Sequence, residues 1–342
     1  LGKVVIYTSK KGVSLKKVSH HIGDALASAA GAEVRYVYGP DISEDRYADA
    51  DAVLVVMPFD VVWTLPYFYV AWRAWYLGKP YAYYTTIEGD VRRTSLPYWV
   101  IRDLDYVANS EYTMEKLHSV SARVIGVVHH GVDPEAIRSA SGKAKRFRST
   151  LLRGAKHLVG YIASGHTRKC HKLFAKAVRI VAERNRDVRF AVVTDENGAK
   201  HYADTGATVI QRFGSMSEED ICAFINALDV YVQASCSEGF GLPLLEALTA
   251  GKVVVAPDYK PLTEFTREGD AVLVPVYMVE TVDEGGGILF ELNLYEPQDM
   301  ADAVLEAVER AARGEVPDAS YYAEEFDYRK VYAWFARYLG LT

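Results

Sequence analysis

Residues 237 to 246 read Ser237-Glu238-Gly239-Phe240-Gly241-Leu242-Pro243-Leu244-Leu245-Glu246. Two carboxylates, Glu238 and Glu246, stand eight positions apart across a glycine-flanked turn. Ahead of it, Val230-Tyr231-Val232-Gln233 is β-branched and aromatic, as a strand end should be. Behind it, Pro243 suits the first turn of a helix, which Leu244, Leu245, Ala247 and Leu248 continue toward a stop at Gly251. A strand–loop–helix junction of this kind points unpaired backbone N–H groups and the positive end of a helix dipole at whatever binds there. The carboxylates themselves repel phosphate but accept hydrogen bonds from sugar hydroxyls. Amides for a diphosphate and carboxylates for hydroxyls on either side of it imply a nucleotide-sugar site.

The 342-residue length favours two domains. A content of 50% hydrophobic and 25% charged residues fits an ordinary globular protein. Cys170, Cys222 and Cys236 show neither metal-ligand spacing nor a disulfide framework, so they read as reduced, buried thiols, which suits a cytoplasmic address. The chain opens on the strand Val4-Val5-Ile6-Tyr7 with no signal-peptide pattern. The apolar stretch from Ala52 to Trp72 is interrupted by Pro58, Asp60 and Pro66, which argues against a membrane span. The net charge of −6 is unevenly spread. Residues 1–150 carry 19 Lys/Arg against 16 Asp/Glu, and the rest of the chain the remaining 20 against 29. The basic first half leaves peripheral association with the inner face of a membrane open, while the overall acidity argues against non-specific nucleic-acid binding.

Both halves alternate strands with helices, the pattern of parallel sheets covered on both faces. The first half predicts strands at 4–8, 33–38, 52–57, 81–86, 106–109 and 124–128, with helices at 14–29, 66–77 and 112–119. A polar, basic stretch at 139–148 reads as a linker. The second half predicts strands at 158–162, 189–193, 208–211 and 253–256. The helix at 218–228 is well marked: Ser217 caps it, and Ile221, Phe224, Ile225 and Leu228 form one stripe. Glu284-Gly285-Gly286-Gly287 reads as a flexible or hairpin insertion, and helices at 297–313 and 321–338 close the chain. In such sheets ligands bind beyond the carboxyl ends of the strands.

Four segments, in order, resemble the retaining GT-B glycosyltransferases of glycosyltransferase family four. Glu238 to Glu246 is similar to that family's paired-glutamate motif. Asp105-Tyr-Val-Ala-Asn-Ser110 with His130-Gly131-Val132-Asp133 resembles its signature before the linker. Gly12 ahead of an amphipathic helix is similar to its first glycine loop, and Gly160 with Lys169 to its donor-phosphate lysine segment. The resemblance implies two facing Rossmann-like, doubly wound α/β domains with a cleft between them. The domains would be residues 1–145 for the acceptor, 155–320 for the donor, and a helical segment, 321–342, returning to the first. It also implies retaining, metal-independent transfer of a hexose from a UDP-, GDP- or ADP-sugar to a sugar, lipid or small-molecule acceptor.

By the same resemblance Glu246 accepts from the ribose hydroxyls, and Glu238 contacts the hexose. Lys169, Arg168, Gly12 and the amides of Gly239, Phe240, Gly241 and Leu242 meet the diphosphate, since phosphate charge without a metal needs cations and dipoles. The chain departs from the family at three places. Tyr161 stands where an arginine is usual, with Arg168 as its replacement. Cys170 stands for the glycine after the lysine, and Glu88 for a histidine near the reacting carbon, where it would be a polar wall of the sugar pocket. A nucleotide-sugar epimerase and a non-catalytic nucleotide-sugar binder are the alternatives. His130 reads as part of the Gly131 turn. His166, Cys170 and His171 lack the further ligands a zinc site needs. The aromatic run from Trp63 to Tyr76 reads mainly as core packing.

Overall fold

The computed structural model describes residues 2 to 342. The chain opens with β1 (Lys3–Thr8), α1 (Val13–Ala30), β2 (Glu33–Tyr38), β3 (Ala52–Val56), α2 (Val61–Tyr76), β4 (Tyr81–Thr85), β5 (Gly89–Val91) and α3 (Tyr98–Arg102). It continues with β6 (Asp105–Ala108), α4 (Glu111–Ser119), β7 (Arg123–Val127), α5 (Pro134–Ser139), α6 (Ser141–Leu152), β8 (His157–Ile162), α7 (His171–Arg184), β9 (Val188–Val193), α8 (Glu196–Ala199) and β10 (Thr208–Ile210). The remainder is α9 (Glu218–Ala227), β11 (Val230–Val232), α10 (Leu242–Thr249), β12 (Val253–Pro257), β13 (Ala271–Val274), β14 (Met278–Asp283), β15 (Ile288–Leu294), α11 (Pro297–Ala312), α12 (Ala319–Glu325) and α13 (Tyr328–Tyr338). Two compact units emerge: residues 1–131, 281–290 and 325–342, and residues 132–280 and 291–324.

The first unit is built on a parallel sheet of order β2-β1-β3-β4-β6-β7. Its central strands β3 and β4 are buried at every position, as continuous apolar runs covered on both faces must be. Strand order reverses between β1 and β3, so the loops after these two strands flank the unit's crevice. The hairpin β14–β15 adds a small antiparallel sheet through β15 and β5. The terminal helix α13 packs on α1, where His21 and Tyr328 stack 4.2 Å apart.

The second unit holds the parallel sheet β10-β9-β8-β11-β12-β13. Here the order reverses between β8 and β11. Helix α7 buries Phe174, Ala177, Val178 and Val181 along one side, and α11 buries Met300, Val304, Ala307 and Val308, each the 3.6-residue stripe of a sheet-covering helix.

The predicted strands and helices appear with small shifts of their ends, and the glycine run turns a hairpin. Four differences have physical causes. The basic stretch 139–148 lies mostly in helix α6, with Phe147 edge-on to Phe224 of α9, so the chain divides at Gly131–Val132 instead. Helix α2 begins five residues before the predicted start of 66, because Asp60 caps it and Pro66 falls within its early turns. The last helix is broken at Phe326–Asp327, with Asp327 capping α13. Strand β13 is an apolar run of four residues, too short to show a period, and was not predicted.

The aromatic run on α2 divides between two faces. Tyr67 and Phe68 are buried, whereas Trp63 is 74% exposed and Tyr76 63%. The expectation of core packing therefore fails for the outer face. Position, not composition, decides which aromatic meets the sheet.

Candidate active site

The loops after β8 and β11 leave adjacent strands at the second unit's reversal point, where open α/β sheets bind ligands. The β8 loop ends in a single tight turn, Thr167–Lys169, ahead of α7. The β11 loop runs from Gln233 to Gly241, the N-cap of α10. Gly241 adopts φ 100, and a Cβ there would come within 2.6 Å of Leu262 Cδ2. The positive φ favours glycine, and an added Cβ would also have to displace the Leu262 side chain. Pro243 occupies the first turn of α10, as the sequence reading expects.

The structure brings Lys169, Arg168 and Glu238 together. Lys169 Nζ lies 2.5 Å from Glu238 Oε1, with both side chains nearly buried. Arg168 Nη1 donates to the Ser237 carbonyl at 3.0 Å and stands 3.5 Å from Glu238 Oε2. Gln233 Nε2 donates to Glu238 Oε1 at 2.7 Å and to Ser235 Oγ at 3.0 Å, and Tyr231 Oη donates to Gln233 Oε1 at 3.1 Å. Burial alone would push the Glu238 carboxyl up, but the charges of Lys169 and Arg168 and the hydrogen bonds to it hold it below the ordinary glutamate value. The cluster is therefore two cations around one ionised carboxylate at the strand ends.

Tyr161 does not stand in for a cation. It is fully buried on β8, donating to the Lys169 carbonyl at 2.8 Å and lying 3.0 Å from Ser235 Oγ. Burial pushes its phenol well up, so it stays neutral. Its work is to tie the lysine turn to the β11 loop. Sequence reasoning assigned no role to Gln233 or Ser235. The available signal was polar residues at the end of an otherwise apolar strand.

Glu246 lies on α10 and is 3% exposed. Phe240 stacks on Phe265 at 4.6 Å, which fixes the turn between the two glutamates. Gly12 and Glu88 belong to the first unit, after β1 and β4 respectively. Gly12 has an ordinary φ of −70 and caps α1, with its N–H donating to Ser9 Oγ at 2.9 Å. His130 bonds Tyr84 Oη at 2.8 Å and Asn109 Nδ2 at 3.3 Å, a network that joins the ends of β4, β6 and β7.

The cysteine expectation is overturned. Cys170 and Cys236 form a disulfide with Cα atoms 5.8 Å apart, while Cys222 is buried outside it. Sequence spacing could not show this, because the two loops meet only through the order of β8 and β11. His171 bonds Tyr202 Oη and the Ser164 carbonyl, each at 2.8 Å, and burial lowers its pKa to about 4. Among the described residues, no three His, Cys, Asp or Glu side chains group to hold a metal ion. No helix among them is long and apolar enough to cross a membrane.

Residues 156–310 match the family model described as Glycosyl transferases group 1. Uncharacterized glycosyltransferase 335 of Sulfolobus islandicus rod-shaped virus 1 is 24% identical over 84% of this chain and 87% of its own. The lipopolysaccharide core biosynthesis mannosyltransferase LpcC of Rhizobium leguminosarum bv. viciae is 29% identical over 52% of each chain. Among solved structures, Anabaena HepE in complex with UDP and glucose superposes with a TM-score of 0.70 at 13% identity, covering 100% of both chains. These relatives favour neither an epimerase nor a non-catalytic binder. Fold, family match and relatives together make the chain a glycosyltransferase with the GT-B architecture.

Proposed function

We propose that the chain transfers a hexose from a nucleotide-diphosphate sugar to a hydroxyl acceptor, with retention of anomeric configuration and without a metal. The observation that carries this reading is the meeting of Lys169, Arg168 and Glu238 at the ends of β8 and β11. Departure of a nucleoside diphosphate builds negative charge on the leaving oxygen. In this reading Lys169, Arg168 and the amides from Gly239 to Leu242 meet it, in a buried setting where fixed charges act strongly. Glu238 accepts from hexose hydroxyls, and Glu246 from the ribose. Attack and departure share one face of the sugar, and the leaving phosphate takes the acceptor's proton.

The test is a panel of UDP-, GDP- and ADP-sugars with sugar and lipid acceptors, scored by release of nucleoside diphosphate. The HepE structure holds UDP and glucose, so UDP-glucose is tried first. Turnover with one donor is expected, unchanged by EDTA and giving a product whose anomeric linkage matches the donor's by NMR. Tight donor binding with no turnover, or an inverted product, defeats the proposal. The panel also tests Glu88 of the first unit as a sugar-contacting residue. Normal activity of Glu88→Ala with every donor removes it from that role.

We also propose that the outer face of α2 meets an anionic membrane surface. Tyr69 and Tyr76 are exposed along one side of the helix, Trp63 and Trp75 are exposed toward its two ends, and Arg73, ion-paired with Glu44 at 3.0 Å, lies over the Tyr76 ring at 5.2 Å. Exposed Trp and Tyr beside arginine suit the headgroup layer. Wild-type protein is expected to sediment with phosphatidylglycerol vesicles, and Trp63→Ser with Tyr76→Ser to remain in the supernatant. Wild-type protein left in the supernatant sinks the idea.

A further inference from the structure

The two loops of the donor site are joined covalently at a point that the transfer chemistry does not use. Cys170 directly follows Lys169, and Cys236 stands two residues before Glu238. Their disulfide spans 66 positions of sequence, and both residues are buried. It closes where the ion pair forms. Weaker bonds repeat the same connection: Cys236 N–H donates to the Arg168 carbonyl at 2.9 Å, and Arg168 Nη1 to the Ser237 carbonyl at 3.0 Å.

The backbone of Cys170 gives the link a second meaning. Cys170 sits at φ 50 and ψ 32, in the left-handed region, as the N-cap of α7. A residue with a Cβ is disfavoured there, and glycine is not. The turn cannot be relaxed without moving Lys169, whose carbonyl is held by Tyr161 and whose ammonium meets Glu238. A side chain tethered at Sγ opposes that relaxation directly.

We infer that the Cys170–Cys236 disulfide is a positioning element of the donor site. It holds Cys170 in the left-handed turn that presents Lys169 to Glu238, a conformation that a glycine would adopt unaided. The inference rests on the proposed donor-phosphate role of Lys169 and Arg168. Neither cysteine touches donor in this scheme; both act through the residues beside them.

The experiment compares wild type, Cys170→Ser, Cys236→Ser, and Cys170→Gly combined with Cys236→Ser. Thiol titration of denatured wild type, purified without reductant, should find one thiol, that of Cys222. Three thiols overturn the inference. Calorimetry with UDP, GDP and ADP then follows, well below the lowest Tm of the set. Both serine variants should bind the preferred diphosphate about tenfold more weakly, as expected from lost preorganisation. The Cys170→Gly double variant should regain most of that affinity while keeping a lowered Tm, since glycine restores the turn and not the cross-link. Equal affinity in all four proteins, with only Tm falling, overturns positioning and leaves a purely stabilising bond. A double variant as weak as Cys236→Ser overturns the glycine-like role. Failure of wild type to bind any of the three diphosphates overturns the donor-site reading itself, and the inference falls with it.

Discussion

Replacing Lys169 by alanine should abolish turnover and destabilise the second unit by about 3 kcal/mol, the usual consequence of stranding one member of a buried ion pair. Glu238 is 8% exposed and accepts from Gln233 as well as pairing with Lys169. Arg168 remains at 3.5 Å in the variant, which keeps the expected loss toward the lower end of the range. A double-mutant cycle separates charge stranding from lost packing. Adding Glu238→Gln to Lys169→Ala should recover much of the stability, because the amide needs no counter-charge, while turnover stays absent. Urea unfolding of wild type, Lys169→Ala, Glu238→Gln and the double variant measures this. A double variant no more stable than Lys169→Ala would show that the pair contributes little.

The same pair predicts a pH signature. In wild type the folded Glu238 carboxyl titrates below its ordinary value, since Lys169 and Arg168 outweigh the burial that would raise it. Its contribution is therefore complete above the unfolded-state value of about 4.3, and it is lost as pH falls through the lower folded value. Without Lys169, only Arg168 and the hydrogen bonds oppose the burial that raises the carboxyl, so its pKa is expected to rise. The stability deficit of Lys169→Ala should then shrink from pH 8 toward pH 5, as Glu238 takes up a proton. A deficit independent of pH over that range would contradict a charged Glu238.

The residues that made the fold legible were those whose chemistry acts locally. Ser217 caps the helix that follows through its own side chain, as its place ahead of the 218–228 stripe predicts. The β-branched runs of β3 and β12 become fully buried strands. Glu238 and Lys169 were legible because their segments resemble known motifs, and Arg168 only as the neighbour offered for a missing cation; the structure joins all three in one cluster. What stayed hidden depends on contacts between distant segments. Tyr161 looked like a missing cation because only the strand order reveals that its hydroxyl ends on the lysine turn. Cys170 and Cys236 looked like separate thiols for the same reason. The basic stretch around Lys143, Lys145 and Arg146 looked like a linker because its few apolar residues gain a partner only once α9 is present.

Glu246→Ala should weaken nucleoside-diphosphate binding by a few hundred-fold. A carboxylate that accepts from two vicinal hydroxyls makes two charge-assisted hydrogen bonds, each worth about 1.5–3 kcal/mol. Losing the weaker end of both, about 3–4 kcal/mol, corresponds to that factor at roughly 1.4 kcal/mol per tenfold. Glu246 is 3% exposed on a helix whose neighbouring positions, Leu244, Leu245, Ala247 and Leu248, are fully buried, so truncation alone is expected to cost some stability. A ligand cycle removes that ambiguity. Wild type should bind a 2′-deoxynucleoside diphosphate more weakly than its ribose counterpart, whereas Glu246→Ala should not distinguish the two. Glu246→Gln, with one acceptor oxygen and no charge, should fall between. Calorimetry below the variant's unfolding temperature reads all three. If Glu246→Ala still prefers the ribose form as strongly as wild type, the hydroxyls are held elsewhere, and Glu246 is a helix carboxylate with no part in the donor site.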